Sequence, residues 1–285
     1  MSDVPARVGV LGGGRMGAGI AHAFLVCGSS VAIVERDDVE ASAARDRVIS
    51  AAKTSIDRGS VAESLETLER RLEVGPDDGL FDDCDLVIEA VPEELTLKIA
   101  SLKRIESRIG ATVPIASNTS SISIDELAEQ LQYPERLIGL HFFNPVPASE
   151  LVEIVVGAAS DSVVVETAQG WVSAIDKTPI TVRNSPGFAS SRLGLVIGLE
   201  AIRMLEEGVA SAEDIDAAMV LGYRYPVGPL RLTDIVGLDV RLGIAEYLHS
   251  QLGERFAPPQ LLRDKVAAGE LGRKSGRGFF DWTKK

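Results

Sequence analysis

The sequence predicts an α/β fold, a Rossmann-type doubly wound parallel sheet over residues 1–183, followed by an all-helical domain over residues 184–285. Three observations carry this expectation. A short apolar strand (Val8, Val10, Leu11) runs into a G-x-G-x-x-G turn at Gly12, Gly14 and Gly17. Strand-like and helix-like segments then alternate through the first two-thirds of the chain, the pattern of βαβ units. At Asn184-Ser185-Pro186-Gly187-Phe188 the alternation stops, and everything beyond reads as helix.

The glycine turn comes first. Gly12 permits the tight bend, Gly14 lets backbone approach a pyrophosphate, and Gly17 lets the following helix pack closely on the strand. The pyrophosphate would sit on that helix's N-terminus, where free N–H groups and the positive dipole end favour an anion. Met16, enclosed by the fingerprint, is placed with the glycines among the cofactor-binding residues. Turns of this kind also occur without a ligand. The second strand, 30–34, narrows the reading because it ends on Glu35, eighteen residues past Gly17. An acid near this position accepts hydrogen bonds from the adenosine ribose hydroxyls. A carboxylate there repels a 2′-phosphate, which favours NAD over NADP. Arg36 pulls the other way, since an arginine beside this position serves NADP.

The polar, alanine-rich stretch 38–72 is broken near Gly59-Ser60 and reads as two antiparallel helices. It exceeds what a minimal crossover needs, so a helical insertion near 38–73 is expected to project from the sheet. Strands at 85–90, 113–117, 137–141 and 151–156 continue the sheet, with a short one near 179–182. Pro92 and Glu93 open the helix that carries Lys98 and Leu102. Beyond residue 184, helices are expected at 190–207, 211–221, 234–253 and 259–268. The first is apolar on most sides (Leu193, Leu195, Val196, Ile197, Leu199), which implies burial in its domain or against another subunit. A homodimer through these helices is the expectation.

Composition sets outer limits. A chain of 285 residues accommodates one large or two ordinary domains, and 45% hydrophobic residues suffice for a sizeable core. The net charge of −13 argues against nucleic acid as a partner, because phosphate backbones attract Lys and Arg. Cys27 and Cys84 fit no metal spacing and read as reduced, packed residues of a cytoplasmic protein. No leader segment is evident, and no apolar run approaches the length of a membrane span.

Of three histidines, His22 lies in the helix after the glycine turn among Ile20, Ala21, Ala23 and Phe24, and reads as packed core. His249 falls late in an amphipathic helix and reads as a solvated surface group. His141 differs, since it closes an apolar strand and opens the loop Phe142-Phe143-Asn144-Pro145-Val146-Pro147. Ligands of open α/β sheets collect beyond the carboxyl ends of strands, and an imidazole there serves as a general base or makes a structural loop contact. Glu153, inside the strand 151–156 between Val152 and Ile154, needs a partner, because burying a lone charge is costly. His141 is the economical one; the pair would fix the ring tautomer and raise the basicity of the other nitrogen. Ser120 and Asn144 offer neutral hydrogen-bonding groups on the same rim, although a serine in Asn118-Thr119-Ser120-Ser121 also suits a helix cap.

These residues, with Gly-Gly-Gly-Arg-Met-Gly, Val-Ile-Glu-Ala-Val-Pro-Glu, Ala-Ser-Asn-Thr-Ser-Ser, His-Phe-Phe-Asn-Pro-Val-Pro, Ser-Pro-Gly-Phe and Gly-Arg-Lys-Ser-Gly-Arg-Gly-Phe-Phe, give the chain its likeness. It resembles, nearly end to end, the short-chain L-3-hydroxyacyl-CoA dehydrogenases, especially the bacterial 3-hydroxybutyryl-CoA dehydrogenases. The resemblance implies NAD-dependent oxidation of an L-3-hydroxyacyl-CoA to the 3-ketoacyl-CoA in fatty-acid metabolism. It further implies that His141 is the catalytic base, Glu153 its electrostatic partner, and Ser120 a contact to substrate and nicotinamide. Glu93 and Lys98 would line the cofactor site, and the helical C-terminal domain would form the dimer interface. The helical projection would help hold the CoA, with Lys53 and Arg58 as the basic residues able to meet its phosphates.

One position departs. In Pro186-Gly187-Phe188-Ala189-Ser190-Ser191-Arg192, Ser191 stands where the family places a substrate-bonding Asn. The alternatives are a relative acting on 3-hydroxyadipyl-CoA or a free hydroxy or sugar acid, or a non-catalytic relative of the fold. Related β-hydroxyacid dehydrogenases use a Lys on the helix after the domain boundary. This chain has no Lys between Lys177 and Lys265.

Overall fold

The computed structural model describes residues 4–283. These residues fall into two compact units that divide between Ser185 and Pro186. In the first, β1 (Arg7–Leu11), β2 (Ser30–Val34), β3 (Leu72–Gly75), β4 (Leu86–Glu89), β5 (Ile115–Ser117), β6 (Leu137–Phe142), β7 (Leu151–Val156) and β8 (Thr178–Arg183) make one sheet. Its order is β3-β2-β1-β4-β5-β6-β7-β8. Strand order reverses between β1 and β4, the switch point at which α/β sheets open a crevice for ligands.

Strands β1 to β6 are parallel. They are buried on both faces, so Val8, Val10, Val31, Ile33, Leu86 and Ile88 have no solvent contact. The connecting helices are α1 (Arg15–Val26), α2 (Asp38–Asp57), α3 (Leu65–Arg70), α4 (Leu95–Glu106), α5 (Ile124–Ala128) and α6 (Ser162–Ala174). Ile20 and Phe24 of α1 and Ala44, Val48 and Ala52 of α2 complete one core cluster with the strands. Asp37 caps α2 by accepting from the Glu40 N–H at 2.9 Å.

Three features differ from the sequence reading. β3 is a short edge strand of four residues that takes up the end of the stretch read as helix; Glu73 and Gly75 interrupt its apolar pattern, and Arg7 pairs with Glu73 at 2.9 Å to hold it. β7 and β8 run against the other strands, because β6 pairs with β7 antiparallel. Residues 143–150 between them are too few for a parallel crossover, which takes about a dozen or more. Finally, α4 starts at Leu95 with Glu94 as its N-cap, which leaves Glu93 in the preceding loop.

The second unit holds α7 (Ser190–Glu206), α8 (Ala212–Ala217), α9 (Pro229–Val236), α10 (Leu238–Leu252) and α11 (Gln260–Ala267). The helix expected to begin at 234 is two helices. Pro229 starts α9 without needing an N–H, and buried Asp216 accepts from the Leu230 and Arg231 N–H groups at its N-terminus. Gly237, at φ 110°, then breaks the path before α10. Leu195, Leu199, Ile202, Leu230, Leu238, Leu248 and Phe256 form this unit's core. No helix among the described residues is long and apolar enough to cross a membrane.

Candidate active site

The carboxyl ends of β1, β2, β4, β5 and β6 and the amino end of β7 share one edge of the sheet, and the chemistry-bearing side chains of the first unit collect there. At β1 the chain turns through Gly12, at φ 93°, whose N–H bonds the Val34 carbonyl at 2.9 Å. A Cβ on Gly17 would overlap the Gly12 carbonyl oxygen, whereas one on Gly14 would meet nothing within 4 Å. Gly14 is also the N-cap of α1 and offers no side-chain cap, and the first turn, including Met16, carries no acid. Open backbone over an uncapped helix N-terminus is what a dinucleotide pyrophosphate requires. Glu35 faces this loop, accepting from the Gly13 N–H at 2.6 Å. Arg36 turns to Asp37 (3.2 Å) and Glu40 (2.8 Å), so three carboxylates gather beyond β2. Arg47 of α2 donates to the Gly13 carbonyl at 3.0 Å and braces the turn. These residues fit a dinucleotide with an unphosphorylated ribose.

Glu89 closes β4, beside Leu11 across the switch point. It is completely buried and saturated. Lys98 donates to both of its oxygens (2.8 and 3.0 Å), the Ser117 hydroxyl to Oε2 (2.6 Å), and the Val91 N–H to Oε1 (2.7 Å). Burial pushes its carboxyl up against the pull of Lys98, Ser117 and Val91. Lys98 is itself fully buried, so it stands behind Glu93 and presents no surface, with Nζ 3.3 Å from Glu93 Oε2. Glu93 Oε1 in turn gathers the 119–121 loop, accepting from Thr119 Oγ1 (2.7 Å) and the Ser120 and Ser121 N–H groups (2.9 and 3.0 Å). The hydroxyls of Ser120 and Ser121 also donate to it, at 3.2 and 3.0 Å. Burial works to raise the Glu93 carboxyl, but Lys98 and these donors hold it below the ordinary carboxylate range.

His141 and Glu153 face each other directly across the antiparallel β6–β7 pair. That register brings opposite side chains within contact on one face, and His141 Nδ1 lies 2.7 Å from Glu153 Oε2. Glu153 is fully buried and His141 is 6% exposed. The carboxylate accepts, so the proton of the neutral ring belongs on Nδ1 and the lone pair on Nε2. Asn118 Oδ1 accepts from the Phe142 N–H at 2.9 Å and ties the serine loop to the end of β6. Lys177 donates to the carbonyls of Val146 (2.8 Å) and Ser149 (2.6 Å), pinning the loop that carries exposed Asn144.

Lys53 and Arg58 are exposed at the C-terminal end of α2, and Ser191 is half-buried in the first turn of α7, in the second unit. His22 is buried with Nε2 3.0 Å from the Ser55 hydroxyl, and burial, with Lys177 nearby, holds its pKa down. His249 pairs with Glu254 at 3.1 Å. Glu89, Ser117, Asn118 and Thr119 join the site only through contacts in space. For Glu89 the signal was present: a carboxylate inside Leu-Val-Ile-Glu-Ala is the same anomaly that marks Glu153.

A family model for the NAD binding domain of 3-hydroxyacyl-CoA dehydrogenase matches residues 7–185, and one for that enzyme's C-terminal domain matches residues 187–282. The chain belongs to the 3-hydroxyacyl-CoA dehydrogenase family. It is 38% identical over 281 residues to a probable 3-hydroxybutyryl-CoA dehydrogenase of Deinococcus radiodurans, covering 97% of this chain and 100% of the relative. It is 39% identical over 292 residues to a 3-hydroxybutyryl-CoA dehydrogenase of Mycobacterium tuberculosis, covering 99% and 100%. The crystal structure of (S)-3-hydroxybutyryl-CoA dehydrogenase from Ralstonia eutropha superposes with a TM-score of 0.94 at 39% identity, covering 98% of this chain and 100% of that one. The chain is thus an NAD-dependent oxidoreductase by family, and its first unit is the NAD-binding one.

Proposed function

We propose that the chain reversibly oxidises a short-chain L-3-hydroxyacyl-CoA, with 3-hydroxybutyryl-CoA as the reference substrate, to the 3-ketoacyl-CoA. The observation that carries this reading is the buried His141–Glu153 pair, 2.7 Å apart, at the same sheet edge as the glycine turn. When bound, NAD supplies the hydride acceptor. Gly12, Gly14, Gly17, Met16 and Glu35 would hold it, with Glu93 lining its site. His141 Nε2 takes the proton of the substrate hydroxyl as C3 is oxidised, and Glu153 stabilises the imidazolium that forms. Ser120 and Asn144 hold and polarise the reacting oxygen. Glu93 fixes Ser120 in place, and Lys98 acts through Glu93. Lys53 and Arg58 meet the CoA phosphates, and Ser191 takes the place of the family's substrate-bonding Asn.

Consumption of NADH with acetoacetyl-CoA is the direct test; its absence overturns the reading. NADH should exceed NADPH in kcat/KM by about 10-fold or more, because Glu35, Asp37 and Glu40 oppose a 2′-phosphate. Equal use of NADPH would mean that Arg36 overrides them, whereas Glu35→Ala should relax the preference.

The second unit is the substrate and dimerisation domain in this proposal. Leu193 of α7 is 62% exposed, and Leu221 and Tyr223 are 80% and 75% exposed, more apolar surface than a small helical unit usually leaves in water. Sedimentation at micromolar concentration should give a homodimer, and a monomer would refute it. A cytoplasmic site agrees with two free thiols, that of Cys84 pushed up to about 11 by burial.

A further inference from the structure

The loop that follows β6, residues 143–150, is held from two sides. On one side stands Lys177, the residue before β8. Its Nζ donates to the carbonyls of Val146 (2.8 Å) and Ser149 (2.6 Å), at the two ends of the turn Val146–Ala148. That turn winds on its own N–H groups, with Ala148 and Ser149 both donating to the Pro145 carbonyl (3.0 and 3.1 Å), and its later carbonyls need a donor from elsewhere. A lysine ammonium takes up such groups well. Lys177 is half-buried, and burial lowers its pKa against the opposing pull of Cys27 and Glu150. Its seat therefore costs the ammonium hydration, and backbone oxygens of one loop are what it meets in return.

On the other side is α1. Val146 is 2% exposed and lies on Gly19, where a Cβ would stand 2.9 Å from both Val146 Cβ and Val146 Cγ2. Side chains do not pack that closely, so the turn rests directly on the helix backbone and glycine makes the room. Gly14, five residues earlier, is the open N-cap of the same helix. One helix thus presents its N-terminus to the dinucleotide and its flank to the loop. The first residues of the loop bear on the chemistry. The Phe143 ring lies against the His141 imidazole, centroids 4.4 Å apart, and Asn144 follows. The Phe142 N–H is tied to Asn118 Oδ1 at 2.9 Å, so the chain is fixed just before Phe143 and again at Val146. Only Phe143, Asn144 and Pro145 span the gap, which leaves little slack to absorb a shift at Val146.

We propose that Gly19 and Lys177 are positioning residues of the dehydrogenase reaction, clamping the 143–150 loop so that Phe143 backs the His141 ring and Asn144 meets the reacting oxygen. This rests on the dehydrogenase reading and extends it to two residues that act through the loop. A small displacement suffices, since misplacement by about 1 Å costs on the order of 100-fold in rate. The effect falls on rate and not on cofactor affinity, because the glycine turn and Glu35 take no part in the clamp.

The test counts NADH-binding sites by fluorescence titration and expresses kcat with acetoacetyl-CoA per site, so that misfolded protein does not enter the rate. Lys177→Met should lose about 10–100-fold in kcat per site, with a Kd for NADH within about two-fold of wild type. Lys177→Gln, which keeps amide donors, should lose less, and serves if the methionine variant yields no folded protein. Gly19→Ala should show the same pattern from the opposite side of the loop. Combining Gly19→Ala with Lys177→Met should cost clearly less than the product of the two single losses, because one loop is not released twice. A lysine variant with the wild-type kcat per site, or one whose lost activity is matched by lost NADH sites, overturns the proposal. So does a double variant that loses the full product. In each of these outcomes the wild type still turns over acetoacetyl-CoA, so the dehydrogenase reading stands. A wild type that binds NADH but reduces no acetoacetyl-CoA overturns that reading and this proposal together.

Discussion

Replacing His141 with alanine is expected to lower kcat with acetoacetyl-CoA by about 10²–10⁴-fold, the usual contribution of a positioned general acid or base. In the reductive direction the imidazolium delivers the proton that the new hydroxyl acquires, and no other imidazole stands at this sheet edge among the described residues. His22 is committed to Ser55 inside the α1–α2 packing, and His249 lies in the second unit's α10. Glu153→Gln should also reduce kcat, by less, because the amide retains a hydrogen-bonding atom near Nδ1 but no counter-charge for the imidazolium. Its effect should fall on kcat rather than on KM for NADH, since Glu153 is fully buried in β7 behind the ring. Both variants should keep the wild-type far-ultraviolet spectrum. Turnover within a factor of about two of wild type in His141→Ala would remove the base assignment, given the magnitudes such groups supply.

Much of this arrangement was legible from residue order. The dinucleotide turn could be read because Gly12 and Gly17 meet at one backbone crossing, where a side chain at 17 has no room. His141 and Glu153 could be paired because a strand interior tolerates a carboxylate only with a partner. What could not be read is distance in space. Residue order places Glu93 at a helix start, but its carboxylate folds back onto a loop 26 to 28 residues later, and nothing local announces that contact. Reversal of β7 was within reach, since the loop before it is too short for a crossover. Edge strand β3 was not, because four residues with an interposed glutamate carry too little period-two signal. Arg241 shows the limit most clearly. As one arginine in a helix of mixed polarity it reads as surface, yet in α10 it is 7% exposed, on the buried face with Leu238, Ala245 and Leu248.

Removing Lys98 should cost the fold about 3–5 kcal/mol at neutral pH, the range seen when one member of a buried ion pair is deleted. Glu89 has no solvent contact, and in Lys98→Met it keeps only the Ser117 hydroxyl and the Val91 N–H as donors. The sign of the pH dependence follows. Burial already raises the Glu89 carboxyl above its ordinary value, so the folded state binds its proton more readily than the unfolded chain. Such a group weakens the fold as pH rises from the ordinary carboxylate pKa to the raised one. Without the ammonium the raised value climbs further and the window widens. The stability deficit of Lys98→Met should therefore be largest at neutral pH and shrink as pH falls toward the carboxylate range, where Glu89 is protonated in either state. Adding Glu89→Gln should recover most of the loss, because both charges are then gone, the amide oxygen accepts from the Val91 N–H and the amide NH2 donates to Ser117 Oγ, whose own proton turns away. Glu93 also loses a cation, but it keeps its contacts to Thr119, Ser120 and Ser121 and its side chain is 35% exposed, so its share is smaller. Urea unfolding of the two variants and the wild type across pH measures these quantities. A deficit in Lys98→Met below about 1 kcal/mol, or one that grows as pH falls, would show that Glu89 does not depend on this ammonium for its charge.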